Sequence, residues 1–391
     1  MYIKLISSHD ALPPIVEKAP KSYNVDQLMK IKESLNKTKS LLDDKVTDVK
    51  FMKLWKENDP YKSERQLIKK MIQSPNDISK AWLKCTEIIT AMELIPDKAH
   101  TYVTFDNAAF PGSFILAINH YIATKTHIKD HKWFASSLLT EKKNTIEGEY
   151  TLSSKYALDD SYGLYSKYPE KWLMNEKYNG DVLNRDNQLH LCQKLGGAVD
   201  LYTSDLGFDI GEEYESQEIS HIKFNAGQVL SGLLVLKKSG NLVIKQYTCF
   251  ETHTLNILIV LIHFFQSTWI CKPNTSSDTN SETYIVCKNF LGGVYLNHPY
   301  VQFLFDTIDG KNDVLAADKY SRIIYSNIVQ ISKVLFGKQE TAIKELIAAI
   351  VKVHGKDSKD NNKNIPLVEY LYSYENEIAQ WYRVMRLLPQ L

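Results

Sequence analysis

No pair of cysteines at metal-binding or redox spacing occurs in this chain. Its five cysteines (Cys85, Cys192, Cys249, Cys271, Cys287) are scattered and odd in number. That argues against a cysteine zinc site or a disulfide scaffold, and predicts reduced thiols in a cytoplasmic compartment. Excess charge is missing as well. Lys and Arg number 47 against 46 Asp and Glu, for a net charge of +1, which excludes binding by gross positive charge and leaves a local basic groove as the route to a polyanion. Long apolar runs are absent. The stretch from Thr254 to Ile270 contains Asn256, His263 and Gln266 and is shorter than a bilayer span, so it predicts a buried helix running into a strand. The opening Met1-Tyr-Ile-Lys-Leu-Ile lacks a long apolar core and a cleavage site, and reads as a strand or arm. Neither a GxGxxG fingerprint nor a P-loop is found.

What is present is an ordinary folded composition, 44% hydrophobic and 24% charged over 391 residues. That size suits one large domain with additions. Residues 1–75 are rich in Lys, Glu and Asp, with Leu28, Ile31 and Leu35 at helical spacing, and predict a helical N-terminal extension. Residues 76–292 alternate helix and strand, with strands expected at 101–105, 133–139, 198–203, 242–246 and 283–288. This rhythm predicts an α/β fold with a Rossmann-like, doubly wound, mostly parallel sheet. A helix is expected over 228–236, closed by Gly240 as a left-handed cap. Residues 293–391 return to helical spacing as a C-terminal extension, interrupted by a polar loop at 355–364.

The strongest local signal is Phe105-Asp-Asn-Ala-Ala-Phe-Pro-Gly-Ser-Phe114. A strand ends in Asp106, a small-residue turn follows, and a helix begins after Pro111. In a doubly wound sheet this turn is where a nucleotide or adenosyl ligand lies, because small residues admit the backbone to the ligand. Taken alone, it could equally be a plain tight turn. Around it stand Ala81-Trp-Leu-Lys84 before the first strand, Gly180-Asp181, a strand ending at Asp205, Leu242-Val-Ile-Lys245, and Ser281-Glu282 opening a last strand. The carboxyl ends of adjacent strands converge, so Asp205 and Lys245 are expected to be neighbours.

In that order and context, residues 78–292 resemble the FtsJ-type RNA ribose 2′-O-methyltransferases, which include viral and cellular mRNA cap 2′-O-methyltransferases. The resemblance implies a catalytic tetrad of Lys84, Asp205, Lys245 and Glu282. It implies an S-adenosyl-L-methionine loop made of Asp106, Asn107, Ala108, Ala109, Phe110, Pro111, Gly112, Ser113 and Phe114. Asp181 would contact the adenine, and Asp205 would also border the cofactor. Two positions depart from the family pattern: Ala108 stands where glycine or another small residue is preferred, and Ser113 where a second glycine is usual; both are small, so the turn is retained. An insertion falls near 140–177. The implied partners are RNA, above all capped mRNA, and other capping enzymes; the long extensions favour a viral or eukaryotic-type cap enzyme. The alternatives are a non-catalytic RNA-binding or capping-complex subunit, and a ribosomal or transfer RNA methyltransferase.

A ribose hydroxyl must lose its proton as it attacks a sulfonium methyl, so a general base is useful. Lys245 is the expected base, with Lys84 as the like-charged neighbour that lowers its pKa, against the opposing pull of Asp205 and Glu282. Singly, each of these four residues reads as a surface lysine, a helix cap or an edge charge; their joint order is what favours chemistry. His120, His127 and His131, interleaved with Lys125, Lys129 and Lys132, read as a solvated basic face and not a metal site. Tyr150, Tyr156, Tyr162, Tyr165, Tyr168, Trp172 and Tyr178 of the insertion and its flank read as packing in preference to a base-stacking pocket. Asn297-His-Pro-Tyr300 imitates the loop of amino-group methyltransferases but follows the wrong strand.

Overall fold

Successive residues of the central strands belong to different cores, which is why helices cover both faces of the sheet. Leu201, Val243 and Val286 pack with Trp82, Ile88, Phe114 and Ile118. Their neighbours Tyr202, Leu242, Ile244 and Ile285 pack with Leu230, Leu233, Leu258 and Ile262 on the other side. Such alternation follows from the two-residue period of a strand. The structure, a computed structural model, describes residues 1–7, 18–19, 25–57, 59–141, 156–207, 216–311, 313–315 and 319–354. Asp209, Tyr150, residues 142–155 of the insertion and the polar segment 355–364 lie outside the described residues.

Seven strands form the main sheet: β1 (Tyr2–Ser7), β2 (Thr101–Asn107), β3 (Asp130–Ser136), β4 (Val199–Ser204), β5 (Leu236–Gln246), β6 (Phe265–Cys271) and β7 (Thr283–Phe290). Their spatial order is β1-β6-β7-β5-β4-β2-β3. The pairs β3–β2, β2–β4 and β4–β5 are parallel, whereas β5–β7, β7–β6 and β6–β1 are antiparallel. The fold is thus α/β and doubly wound as expected, on a mixed sheet. The antiparallel half arises because the short connection 272–282 turns β6 back on itself, and β7 slots between β5 and β6.

Among the described residues, the helices longer than one turn are α1 (Asp26–Lys39), α2 (Val49–Glu57), α3 (Lys62–Met71), α4 (Lys80–Ala91), α5 (Ser113–Lys125), α6 (Arg185–Leu195), α7 (Gln217–Val235), α8 (Thr252–Phe264), α9 (Pro299–Ile308) and α10 (Lys319–His354). Helix α8 is buried from Thr254 to Phe264 and passes directly into β6, the buried helix running into a strand that the stretch Thr254–Ile270 predicts. Among the described residues no helix is long and apolar enough to cross a membrane. The opening segment is a strand, β1, hydrogen-bonded to the outer edge of β6. Helix α1 packs against α10, and Phe51 of α2 meets Leu346 and Ile350 of α10, so the segments before and after the core pack on each other.

One expectation fails in detail. Helix α7 begins at Gln217 and ends at Val235, and Gly240 is not its cap but a residue of β5. A Cβ at Gly240 would lie 2.9 Å from the Lys237 carbonyl and 3.0 Å from that of Val199, next to a register shift between β4 and β5. The glycine serves close strand approach.

Helix α7 also lies tightly on the sheet at Gly232, where a Cβ would sit 2.6 Å from Leu242 Cδ1 and 3.0 Å from the Tyr202 ring. Gly232→Val is therefore expected to lower unfolding free energy by about 1–3 kcal/mol through overpacking, measured by urea denaturation of the full chain.

Candidate active site

The parallel strands β2, β3, β4 and β5 all finish at one end of the sheet. Chain order reverses between β2 and β4, since β2 continues outward to β3 before the chain returns to β4. Ligand crevices form at such switch points. Asp205 follows the last residue of β4, and Lys245 is the penultimate residue of β5; Ser204 pairs with Ile244 in the step just before them. Strand β7 runs the other way, with Tyr284 opposite Lys245. Its start therefore lies where its parallel neighbours end, and this brings Glu282 to the same place. Lys84 arrives from the second turn of α4, whose N-terminus is capped by Ser79 accepting from Trp82 N.

All four expected tetrad residues thus meet, as two ion pairs. Lys84 Nζ lies 2.6 Å from Glu282 Oε1, and Lys245 Nζ lies 3.0 Å from Asp205 Oδ1. Lys245 also donates to the Asp205 carbonyl at 2.9 Å. Burial pulls the Lys245 pKa down, but the Asp205 and Glu282 carboxylates outweigh it and hold the ammonium above its ordinary value. The expected lowering by Lys84 is not found, because Lys84 is turned to Glu282. Burial likewise opposes ionisation of Glu282, yet Lys84, Lys245 and Lys272 bring its pKa down to about 2.

Three residues that escaped the sequence reading complete the site. Tyr284 donates its hydroxyl to Asp205 Oδ1 at 2.8 Å. Two positions after Glu282, it shares that residue's face of the strand, a periodicity visible in the sequence. Ser276 donates to Glu282 Oε1 at 2.9 Å. Lys272 is buried, and its Nζ donates to Asn280 Oδ1 (2.6 Å) and to the carbonyls of Asn280 and Glu282 (both 2.9 Å). Its desolvation prevails over the nearby Glu282 and Asp278 and lowers its pKa to about 7. Nothing local in the sequence marks Lys272 or Ser276, since their roles come from the fold of the connection 272–282. At Gly207 a Cβ would lie 3.0 Å from Lys245 Nζ, so the missing side chain leaves the amine approachable.

The expected cofactor loop divides in two. Asn107 caps Ala108 N through Oδ1 at 3.0 Å, and Ala109 N donates to the Ser136 carbonyl at 3.0 Å. Ala108 has φ +54°, a left-handed conformation in which glycine is free of strain and alanine costs on the order of 1 kcal/mol. Gly112, at φ +110°, precedes α5, and a Cβ there would lie 2.3 Å from Leu164 Cδ1 of the insertion. Phe110, joined to Pro111 by a cis bond, stacks on Trp172 at 4.5 Å. Ser113 accepts from Ser79 at 2.8 Å and Phe114 packs near Tyr284. Asp106 is buried and accepts from Thr203 Oγ1 at 2.6 Å. Desolvation is the main cause that lifts its pKa to about 8, with Asp205 adding to it. Gly180, at φ +78°, lies against the Ser137 carbonyl. It leads into Asp181, which borders a narrow cleft with Asn107, Ser136, Tyr178 and His190.

The other singled-out residues have structural partners. Tyr165, Tyr168 and Trp172 pack with Trp133, Leu158 and Leu164, and Tyr178 stacks on His190 at 3.9 Å. His120 lies against Trp82, His127 pairs with Asp97, and His131 bonds Thr104. His298 caps α9, accepting from Tyr300 N.

A small-residue turn at the switch point after β2, with the Asp181 cleft beside it, is the place where doubly wound α/β proteins take a nucleotide or adenosyl ligand. The sequence profile of the FtsJ-like methyltransferases matches residues 78–290, just over half the chain, and the chain belongs to that family, whose methyl donor is S-adenosyl-L-methionine. It is 37% identical over 274 residues to a protein of African swine fever virus named probable methyltransferase EP424R, across 66% of this chain and 60% of that one. It is 28% identical over 272 residues to the zebrafish (Danio rerio) cap-specific mRNA (nucleoside-2′-O-)-methyltransferase 2, across 68% of this chain and 35% of that one. The match therefore spans 60% of the length of the first relative and 35% of the second.

The buried Asp106 makes a pH-dependent contribution. Its raised pKa means that the folded protein keeps a proton the unfolded chain releases above about pH 4, so stability falls as pH rises towards 8. Asp106→Asn retains an acceptor for Thr203 and cannot ionise. It is expected to raise the thermal midpoint of the cofactor-free protein at pH 8 more than at pH 5, as read by calorimetry.

Proposed function

We propose that this chain transfers the methyl group of S-adenosyl-L-methionine to a ribose 2′-hydroxyl of RNA, with capped mRNA as the substrate. The observation that carries this reading is the convergence of Lys84, Asp205, Lys245 and Glu282, from four separate segments, at the strand ends of an FtsJ-like core. The name of the zebrafish relative supplies the cap.

The bound cofactor supplies an electrophilic methyl on a sulfonium. Asn107, Ala108 and Ala109 would hold its amino-acid end at the turn, Asp181 would meet the adenosine side from the cleft, and Asp205 would border both cofactor and acceptor. Phe110, Ser113 and Phe114 hold the turn in place through their packing partners. Lys84 Nζ and Glu282, locked together, present a fixed edge to the acceptor ribose. Lys245 Nζ rests as an ammonium. It can accept the hydroxyl proton only after losing its own to bulk water, and the positive charge that the cofactor would bring beside the Asp205 pair would favour that loss. The pair is thus a brake that the loaded site lifts.

Lys245→Ala is expected to reduce methyl transfer at least ~10²-fold, the lower range for a positioned base. Lys245→Arg is expected to fail nearly as badly, because arginine stays protonated. Since the resting pKa is raised, log(kcat/KM) of the parent is expected to climb steadily from pH 7 to pH 9 without a plateau. The assay is methyl transfer to capped and uncapped RNA, with the product nucleosides identified. An arginine variant with near-parent turnover would leave Lys245 an electrostatic role alone.

A further inference from the structure

A cavity of about 440 Å³ opens between α2, α3, α10 and the connection 272–282, within the ~300–1,000 Å³ range of small-ligand sites. Trp55 and Leu346 contribute its apolar wall, and Ser276, Ser277 and Thr279 line a hydroxyl-rich side. Arg65 and Lys80 form a basic corner. Both are paired with the same carboxylate, Asp59, with Lys80 at 3.2 Å. Two cations sharing one anion leave a surplus of positive charge. The acid on the opposite wall, Asp278, is matched by Lys338 at 3.2 Å and does not cancel that surplus.

The cavity adjoins the tetrad in two ways. Ser276, in its wall, donates to Glu282 Oε1 at 2.9 Å. Lys80 precedes Lys84 by four residues on α4, so the two share a face of the helix, one beside the cavity and the other on Glu282.

We infer that this cavity receives one nucleotide of the substrate RNA next to the acceptor ribose, its base against Trp55 and its phosphate at Arg65 and Lys80. An indole offers a stacking surface that tolerates any base. A guanidinium and an ammonium with one shared counterion suit a single phosphate. The hydroxyl side suits the polar edges of base and sugar. This inference rests on the RNA reading above and extends it to residues outside the methyltransferase core.

The test compares a capped dinucleotide with a longer capped oligonucleotide, by fluorescence anisotropy and by methyl transfer, using the full chain. The parent is expected to bind the longer RNA more tightly. Trp55→Ala and, separately, Lys80→Glu are expected to weaken binding of the longer RNA by at least ~5-fold, the low end for loss of one stacked base. Lys80→Glu is also expected to make binding less salt-dependent, by about one in the slope of log affinity against log salt. Lys80 is half-exposed, so its variant decides the question if Trp55→Ala does not fold. Unchanged affinity for the longer RNA in the folded variants overturns the inference. If the parent methylates no RNA but the variants still lose oligonucleotide binding, the cavity assignment stands and the proposed reaction falls. If methyl transfer to RNA is robust and the variants are indifferent to RNA length, the reaction stands and the cavity assignment falls.

Discussion

Two ammonium groups cannot rest at the buried end of a sheet without two carboxylates to hold them. Removing a charge from water costs several kcal/mol, and only a close, well-bonded partner repays it. Lys84 and Lys245 are both largely shielded, and each has its partner, Glu282 and Asp205. The antiparallel placement of β7 is what makes the second carboxylate available. A parallel strand in that slot would put its first residue at the opposite end of the sheet, and Lys84 would be left without a counterion.

The same pairing sets the electrostatic starting point of the site. Lys245 sits between two carboxylates and is held protonated, so the resting arrangement favours stability over reactivity. Asp106, close by, is pushed towards its neutral form. Desolvation is the main cause, and the neighbouring Asp205 adds to it. Position against the sheet divides the acids of this region: Asp205 and Glu282 each hold a lysine, whereas Asp106 accepts from the Thr203 hydroxyl.

Beyond the core, polar side chains link the site to the extensions. The connection 272–282 carries Glu282 at its end and is pinned internally by Lys272 and Ser276. Gln339 of α10 donates to the Thr279 carbonyl of the same connection, at 3.1 Å. Helix α4 reaches the N-terminal segment through Lys80 and Asp59. The aromatic insertion fixes the other side, with Trp172 on Phe110 and Leu164 filling the space beside Gly112. The turn at Ala108 to Gly112 is consequently held from outside the core, which helps explain how a left-handed alanine is accommodated there.

What the sequence determined by itself was the alternation of helix and strand, the two-sided core, the buried run that becomes α8 and β6, and the order of the site residues. These are local or periodic properties, written in residue spacing and in motifs such as Phe105–Phe114. Tertiary structure alone decided the rest. The direction of β7 depends on which neighbours it pairs with, and no local pattern encodes that choice. Gly240 reads as a helix cap because glycine suits both a cap and a close strand approach, and only the Val199 carbonyl beside it selects the second. The charge state of Lys245 depends on partners 40 and 37 residues away in the chain. Lys272, Tyr284 and the Trp55 cavity have their roles for the same reason: long-range packing brings distant, individually ordinary side chains to within hydrogen-bonding distance of the site or to its border.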